Sequence, residues 1–178
     1  MPRVVAFLRG INVGGHRVRM ETLRDAFVGL GFTDVRTFIA SGNVTFDGTR
    51  ASPPTLERRI ETHLAQTLGY AVPTFLRSSA ELREVVAHEA FSSTEVAAAH
   101  ALYVLFLREE VTDEVARAVA TLETANDAFH VRGREIYWLC RCRLNESLVP
   151  ASAFGRALGK QPTTMRNMTM LKKLAATM

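Results

Sequence analysis

The chain has 178 residues, 47% of them hydrophobic and 22% charged, which is enough apolar material for one ordinary domain or two small ones. No stretch approaches the roughly 18 uninterrupted apolar residues of a membrane-spanning helix, and the N-terminal segment lacks the apolar run of a secretory signal. Two cysteines one residue apart do not make a disulfide framework and fit a reducing compartment. These features exclude a disordered or membrane-spanning chain, and we expect a cytoplasmic protein.

Charge is distributed unevenly along the chain. Residues 1–19 contain four arginines and no acidic residue, and residues 132–173 contain nine basic residues against two acidic ones. The middle, residues 20–131, has nine basic and sixteen acidic residues. If the fold brings the two basic stretches together, they form one basic face suited to an anionic partner.

The first third of the chain predicts the order strand, helix, strand, strand. Val4–Leu8 is a short apolar run typical of a buried strand, and a glycine-containing loop follows over residues 11–19. Apolar residues then recur at helical spacing until Gly31. Two strand-like runs, Val35–Ile39 and Val44–Phe46, flank a Ser-Gly-Asn turn that is typical of a hairpin.

A second helix is predicted from Ser52, which precedes two prolines, to Gly69, and a strand over Val72–Leu76 follows it. Ser78 and Glu81 have the spacing of a capping box at the start of a third helix. The segment Phe91–Ala99 is rich in Ser and Ala without a clear period, so we predict a domain boundary there.

After this boundary the strand, helix, strand, strand order begins again. Ala101–Leu107 predicts a strand, Thr112 caps a helix, and strands over Phe129–Val131 and Ile136–Leu139 flank a glycine. A short helix ending near Gly159 comes next. The chain then finishes with a last helix that we expect Thr163 to cap.

Two such series predict an α+β fold of tandem ferredoxin-like (βαββ-type) subdomains. Each would have an antiparallel sheet with helices packed on one face, because a single βαββ unit leaves one face of its sheet for the helices to cover. The predicted subdomains are residues 1–92, a βαββαβ unit, and residues 98–178, a βαββ unit with terminal helices.

The loop Gly10-Ile-Asn-Val-Gly-Gly-His-Arg17 stands between a strand and a helix, as phosphate-binding loops do. It lacks the Lys and Ser or Thr of a nucleotide-binding P-loop. Its backbone N–H groups could still bind an anion, with help from the positive end of the following helix. The alternative is that the glycines only permit a tight turn, although geometry alone does not explain Asn12.

Arg166 and Asn167 offer a guanidinium and a carboxamide at the predicted start of the last helix, where an anion is also favoured. The alternative is plain helix capping. Cys140 and Cys142 supply only half of a tetrahedral metal site, so we interpret them as core residues and predict no metal. Neither a nucleophile elbow nor a catalytic triad can be assigned.

The segments LRGINVGG at 8–15, SGNV at 41–44 and Thr-Met-Arg-Asn at 164–167 resemble a bacterial family known as domain of unknown function 1697. The resemblance covers nearly the whole chain and implies tandem ferredoxin-like folds. It implies no activity, cofactor or catalytic residue. His16 stands where the family often has Lys, and Met168 where it often has Trp, so neither a fixed cation nor a stacking ring is expected at these positions.

The preferred functional hypothesis is a module that binds a phosphorylated small molecule, a nucleotide or a nucleic acid. Its candidate ligand-binding residues are Arg9, Asn12, Gly14, Gly15, His16, Arg17, Asn43, Arg166 and Asn167. One alternative is a small enzyme acting on an anionic metabolite with His16 as proton carrier, since the pKa of a histidine is near 6.5. The other is a structural or interaction protein without a small-molecule site.

Overall fold

The computed structural model describes residues 3–48, 51–159 and 161–178. The chain divides into two compact units, the first comprising residues up to Arg83 together with Leu174–Met178, and the second comprising Glu84–Lys173. Each unit contains one four-stranded antiparallel sheet. Within the described ranges, no helix is both long and apolar enough to cross a bilayer.

The first unit follows the ferredoxin-like order β1, α1, β2, β3, α2, β4. The elements are β1 (Arg3–Leu8), α1 (Met20–Gly29), β2 (Thr33–Phe38), β3 (Asn43–Asp47), α2 (Pro53–Leu68) and β4 (Thr74–Ser78). Its sheet has the order β2-β3-β1-β4, with every neighbouring pair antiparallel. This is the βαββαβ arrangement predicted for the N-terminal half.

One face of this sheet packs against α1 and α2. Both helices are amphipathic, and they place their apolar stripes on the same side of the sheet, which forms the core of the unit. The core residues include Ala6, Leu8, Val44, Phe46 and Leu76 from the strands and Leu23, Phe27, Leu56, Ile60 and Leu64 from the helices. The loop between β1 and α1 is therefore held between a buried strand and a helix whose apolar face is buried.

The second unit repeats the same topology. The boundary between the units falls within α3 (Ser79–Ala87). The later elements are α4 (Ser93–Ala98), β5 (Ala101–Phe106), α5 (Asp113–Ala120), β6 (Asp127–Arg132), β7 (Glu135–Cys140), α6 (Ala151–Ala157), β8 (Thr164–Asn167) and α7 (Met168–Ala175). The end of α7, from Leu174 onward, is assigned to the first unit. The sheet order is β6-β7-β5-β8, again antiparallel throughout. Leu105, Ile136 and Trp138 pack with Val119 of α5 and Phe154 of α6.

One helix was not predicted, and the start of another was wrong. Residues 91–99, which have no clear apolar period, contain α4, whose start is fixed by a capping box between Ser92 and Glu95. The last helix does not begin at Thr163, because residues 164–167 pair with β5 as strand β8. Asn167 is the residue that caps α7, since its Oδ1 accepts a hydrogen bond from Thr169 N at 2.8 Å. The C-terminal half is thus a complete βαββαβ unit.

Candidate functional site

The glycine-containing loop between β1 and α1 has an unusual backbone. Asn12, Gly14 and Gly15 all have left-handed φ angles, of 55°, 59° and 89°. No atom lies within 4 Å of where a Cβ would stand on either glycine. Glycine is therefore required here for the left-handed turn and not for close packing, and the backbone stays open to the outside.

Asn12 holds the loop in shape with its side chain. Its Nδ2 donates to the backbone oxygen of Ala40 at 2.8 Å, and its Oδ1 accepts from the backbone nitrogen of Val18 at 2.7 Å. One side chain thus joins both ends of the loop to the turn between β2 and β3. A short amide side chain also tolerates the left-handed conformation better than most residues do.

The turn between β2 and β3 packs directly against this loop. Gly42, with φ of 78°, leaves so little room that a Cβ on it would stand 2.9 Å from Ile11 and 3.2 Å from Leu8. Leu8 N also donates to Gly42 O at 2.8 Å. The LRGINVGG and SGNV motifs are therefore in direct contact, and the turn between β2 and β3 supports the start of the loop.

A cavity of about 520 Å³ opens beside the C-terminal half of the loop. The residues that line it come from the loop, the first turn of α1 and the end of α2. They are Gly15, His16, Arg17, Val18, Arg19, Thr22, Thr67, Leu68, Gly69 and Tyr70. The volume lies within the range of small-molecule sites, but the cavity is an open cleft, since most of its lining residues are exposed.

The cavity carries positive charge without a compensating acid. Arg17 and Arg19 line it, and neither guanidinium has a hydrogen-bond or ion-pair partner among residues 3–48, 51–159 and 161–178. No carboxylate is among its described lining residues. Arg19 is also the N-cap of α1 and makes no side-chain cap, so the first turn of the helix adds its positive dipole end.

His16 and Tyr70 form a stacked pair at the cavity wall. Their ring centroids are 3.8 Å apart and the rings are inclined by 20°. His16 is exposed, whereas Tyr70 is half-buried, and burial raises the pKa of the Tyr70 phenol. The Tyr70 hydroxyl oxygen is buried and makes no hydrogen bond to any described residue, which is unusual for a buried polar atom.

The predicted site residues of the first unit fall into two groups. Gly15, His16 and Arg17 line the cavity. Arg9, Asn12, Gly14 and Asn43 are not among its lining residues. Arg9 is exposed at the end of β1. Asn43 is fully buried in the sheet, where its Nδ2 donates to Phe38 O at 3.0 Å and to Ser41 Oγ at 2.9 Å.

Arg166 and Asn167 belong to the second unit. Arg166 lies in β8 with 8% of its surface exposed, and its Nη1 donates to Thr164 Oγ1 at 2.7 Å and to Met165 O at 2.9 Å. Burial lowers the pKa of this guanidinium to about 10. Asn167 lines another cavity of about 490 Å³, together with Lys172. The role of this Arg-Asn pair in ligand binding stays a prediction.

Arg19, Thr22 and Tyr70 were missed as candidates from the sequence. Arg19 belongs to the basic N-terminal stretch and could have been chosen on charge alone. Tyr70 follows the glycine that ends α2, and nothing in the sequence indicates that its ring meets His16. Among the described residues, no group of three or more His, Cys, Asp or Glu side chains is arranged to hold a metal ion.

These observations define the class of protein: a tandem ferredoxin-like α+β chain with a basic cavity beside a glycine-containing loop in its first unit. The family model "Protein of unknown function (DUF1697)" matches residues 1–137, and the chain belongs to that family. The resemblance inferred from the LRGINVGG and SGNV motifs is therefore confirmed.

A solved structure has the same fold over the whole length of the chain. It is that of the conserved bacterial protein SP0830 from Streptococcus pneumoniae, which is 26% identical. The similarity covers 99% of this chain and 98% of that one, with a TM-score of 0.76. The comparison with curated proteins gives no match.

Proposed function

We propose that this protein binds a phosphorylated ligand, with a nucleotide as the favoured class, in the cavity beside the LRGINVGG loop. The observation that carries the proposal is the pair of arginines, Arg17 and Arg19, in a cavity whose described lining contains no carboxylate. Arginine pairs with phosphate oxygens through a planar fork of N–H donors. Exposed arginines elsewhere in this unit are often paired, as Arg24 is with Asp25.

The backbone around the cavity favours the same sign of ligand charge. The left-handed Gly15 and the first turn of α1 border the cavity, and unpaired N–H groups at a helix start attract anions. Glu21, in that first turn, is the one acidic residue there, and it does not line the cavity. A phosphate is favoured over a carboxylate because it offers more acceptor oxygens to the two guanidinium groups.

The stacked rings of His16 and Tyr70 favour a ligand that carries an aromatic base. Tyr70 covers one face of the His16 ring and fixes its orientation, and the exposed side chain of His16 leaves room for a base to stack on it. Stacking of a base on an aromatic side chain contributes about 1–3 kcal/mol. The same ring could serve as a proton carrier, but binding requires only its shape.

Isothermal titration with pyrophosphate, adenosine and guanosine monophosphates, and a short single-stranded RNA tests this function. We expect Arg17→Ala and Arg19→Ala each to weaken phosphate-dependent binding by about tenfold, because a charge-assisted hydrogen bond contributes about 1.5 kcal/mol. Arg24→Ala is the matched control, since Arg24 is exposed and paired with Asp25 at 3.1 Å outside the cavity. Equal losses in all three variants, or no loss in the double variant, would refute the site.

Two further arms separate the ligand classes. His16→Ala should abolish the advantage of a nucleotide over pyrophosphate, and His16→Phe should restore it, because only the ring is needed for stacking. Affinity for RNA should fall steeply with salt as counterions are released, whereas a mononucleotide should respond weakly. If a nucleotide binds no better than pyrophosphate, the phosphate site at Arg17 and Arg19 is still supported, but stacking of a base on His16 is refuted.

A further inference from the structure

The two cysteines lie side by side at the end of β7 in the second unit. Cys140 is the last residue of that strand and is fully buried, while Cys142, two residues later, is half-buried. Their sulfur atoms are 4.0 Å apart, and the Cys140 sulfur is 3.1 Å from the backbone oxygen of Cys142. Both thiols are free.

The surroundings of the two thiols are unequal. Cys142 is half-buried and can be reached from solvent, whereas Cys140 is fully buried at the end of the strand. Burial, followed by the contact with Cys142, raises the pKa of the Cys140 thiol to about 11. Cys142 is therefore the sulfur that reacts first with a reagent from solution.

We propose that Cys142 and Cys140 form a thiol–disulfide exchange site for small disulfides of the glutathione type, with Cys142 as the attacking sulfur and Cys140 as the resolving sulfur. The proposal does not depend on the ligand cavity of the first unit. It rests on the 4.0 Å separation of the sulfurs and on their unequal exposure.

The exchange has two balanced steps. The Cys142 thiolate attacks one sulfur of glutathione disulfide, forms a mixed disulfide and releases one glutathione thiolate. Cys140 then attacks the Cys142 sulfur, and its proton passes to the second departing glutathione. Two protein thiols are oxidised by two electrons, and one glutathione disulfide is reduced to two glutathione molecules.

The geometry requires a small movement. The sulfurs must close from 4.0 Å to about 2.05 Å, the length of a disulfide bond. Cys142 lies beyond the end of β7 in an irregular segment, so it can move without breaking the strand ladder. The backbone of Cys140, which pairs with Asp127 of β6, stays in place, and only its side chain has to turn.

Trp138 provides an internal reporter of the exchange, because it is the one tryptophan of the chain. Its Nε1 donates to Asp127 Oδ1 at 2.9 Å, and the Cys140 sulfur lies 3.8 Å from the same oxygen. Formation of the disulfide draws the Cys140 sulfur away from this contact. We expect the emission of Trp138 to change when the disulfide forms and to recover with dithiothreitol.

Intact-mass spectrometry of the native protein with glutathione disulfide tests the proposal. The wild type should lose two hydrogens and keep no adduct, Cys140→Ser should retain one glutathione, and Cys142→Ser should stay unmodified. A stable adduct on the wild type, or a Cys142→Ser variant that reacts as fast as Cys140→Ser, would overturn it.

A measurement on the wild type alone tests the same assignment even if the cysteine variants do not fold. Early time points, quenched with acid and mapped by peptide, should show the transient glutathione on Cys142 and none on Cys140. Early modification of Cys140, or no modification of either cysteine while the protein stays folded, would equally overturn the assignment.

Discussion

At the scale of single residues, the loop shows why the identity of a side chain can be misread from sequence. From the sequence, turn geometry alone does not explain an asparagine at position 12 among the glycines. The structure gives it a geometric role after all, since it adopts φ of 55° and bonds to Ala40 and Val18. These partners lie up to 28 positions away along the chain, and no local pattern indicates them.

Tyr70 gives a residue-scale prediction about stability. Its buried hydroxyl has no partner in the described part of the chain, and an unsatisfied buried polar group costs about 1–3 kcal/mol. Tyr70→Phe should therefore raise the free energy of unfolding by about 1 kcal/mol. Urea denaturation of the ligand-free protein measures the change.

Tyr137 is the matched control for that substitution. Its hydroxyl donates to Val85 O at 3.2 Å, so Tyr137→Phe should lower the free energy of unfolding by about 1 kcal/mol. A loss of stability in Tyr70→Phe would mean that its hydroxyl has a partner, such as ordered water. In that case the hydroxyl would no longer mark an unsatisfied group at the cavity.

At the scale of elements, strand β8 was the main error, and the reason is its composition. Thr164–Asn167 has four residues without apolar alternation, so its pattern favours a turn or helix start. A sequence repeat between β4 and this segment does indicate a strand. Thr74-Phe-Leu-Arg77-Ser and Thr163-Thr-Met-Arg166-Asn share the Thr-x-x-Arg spacing and a polar residue that caps the next helix.

The two arginines of this repeat occupy equivalent places. Arg77 pairs with Val5, and Arg166 pairs with Val104, in the first strand of each unit. Both are buried, and each donates to the backbone oxygen of the residue before it. The shared register indicates a structural role for the arginine that each unit preserves, which explains why a buried sheet position holds a charged residue.

The turn between β2 and β3 gives an element-scale prediction. Gly42→Ala introduces a Cβ 2.9 Å from Ile11 in addition to the strain of a left-handed alanine, and the sum should cost about 2–4 kcal/mol. Gly15→Ala has the same kind of strain in open space and should cost only about 1 kcal/mol. Denaturant unfolding curves of both variants give the comparison. Equal losses would mean that the turn does not support the loop.

At the scale of the whole molecule, the tandem α+β fold was predictable, because the hydrophobic periods and the glycine stops repeat in order. The helix α2, for example, begins after Ser52 and ends at Leu68 before Gly69, as its sequence indicates. Of the residues that line the candidate cavity, only those of the glycine-containing loop were predictable from the sequence. Tyr70 reaches His16 through the packing of α2 on the sheet, and that packing depends on contacts between residues far apart in the chain.

The pH dependence of unfolding provides a prediction for the molecule as a whole. His88 and His130 have their Nε2 atoms 3.0 Å apart in the second unit, with the Tyr137 ring at the edge of both. Burial, then the charges of Arg132 and His130, lower the pKa of His88. The folded state therefore binds fewer protons than the unfolded state below about pH 6.5, and stability should fall as the pH decreases from that value.

A comparison of two histidine variants isolates this contribution from the carboxylates that also titrate in acid. His88→Gln keeps a polar partner for His130 but cannot gain a charge, so its free energy of unfolding should fall less than that of the wild type between pH 7.5 and about 5.5. His100→Gln removes an exposed histidine that takes no part in the His88–His130 contact, and this variant should follow the wild type. Parallel curves for all three proteins would show that His88 does not control acid stability.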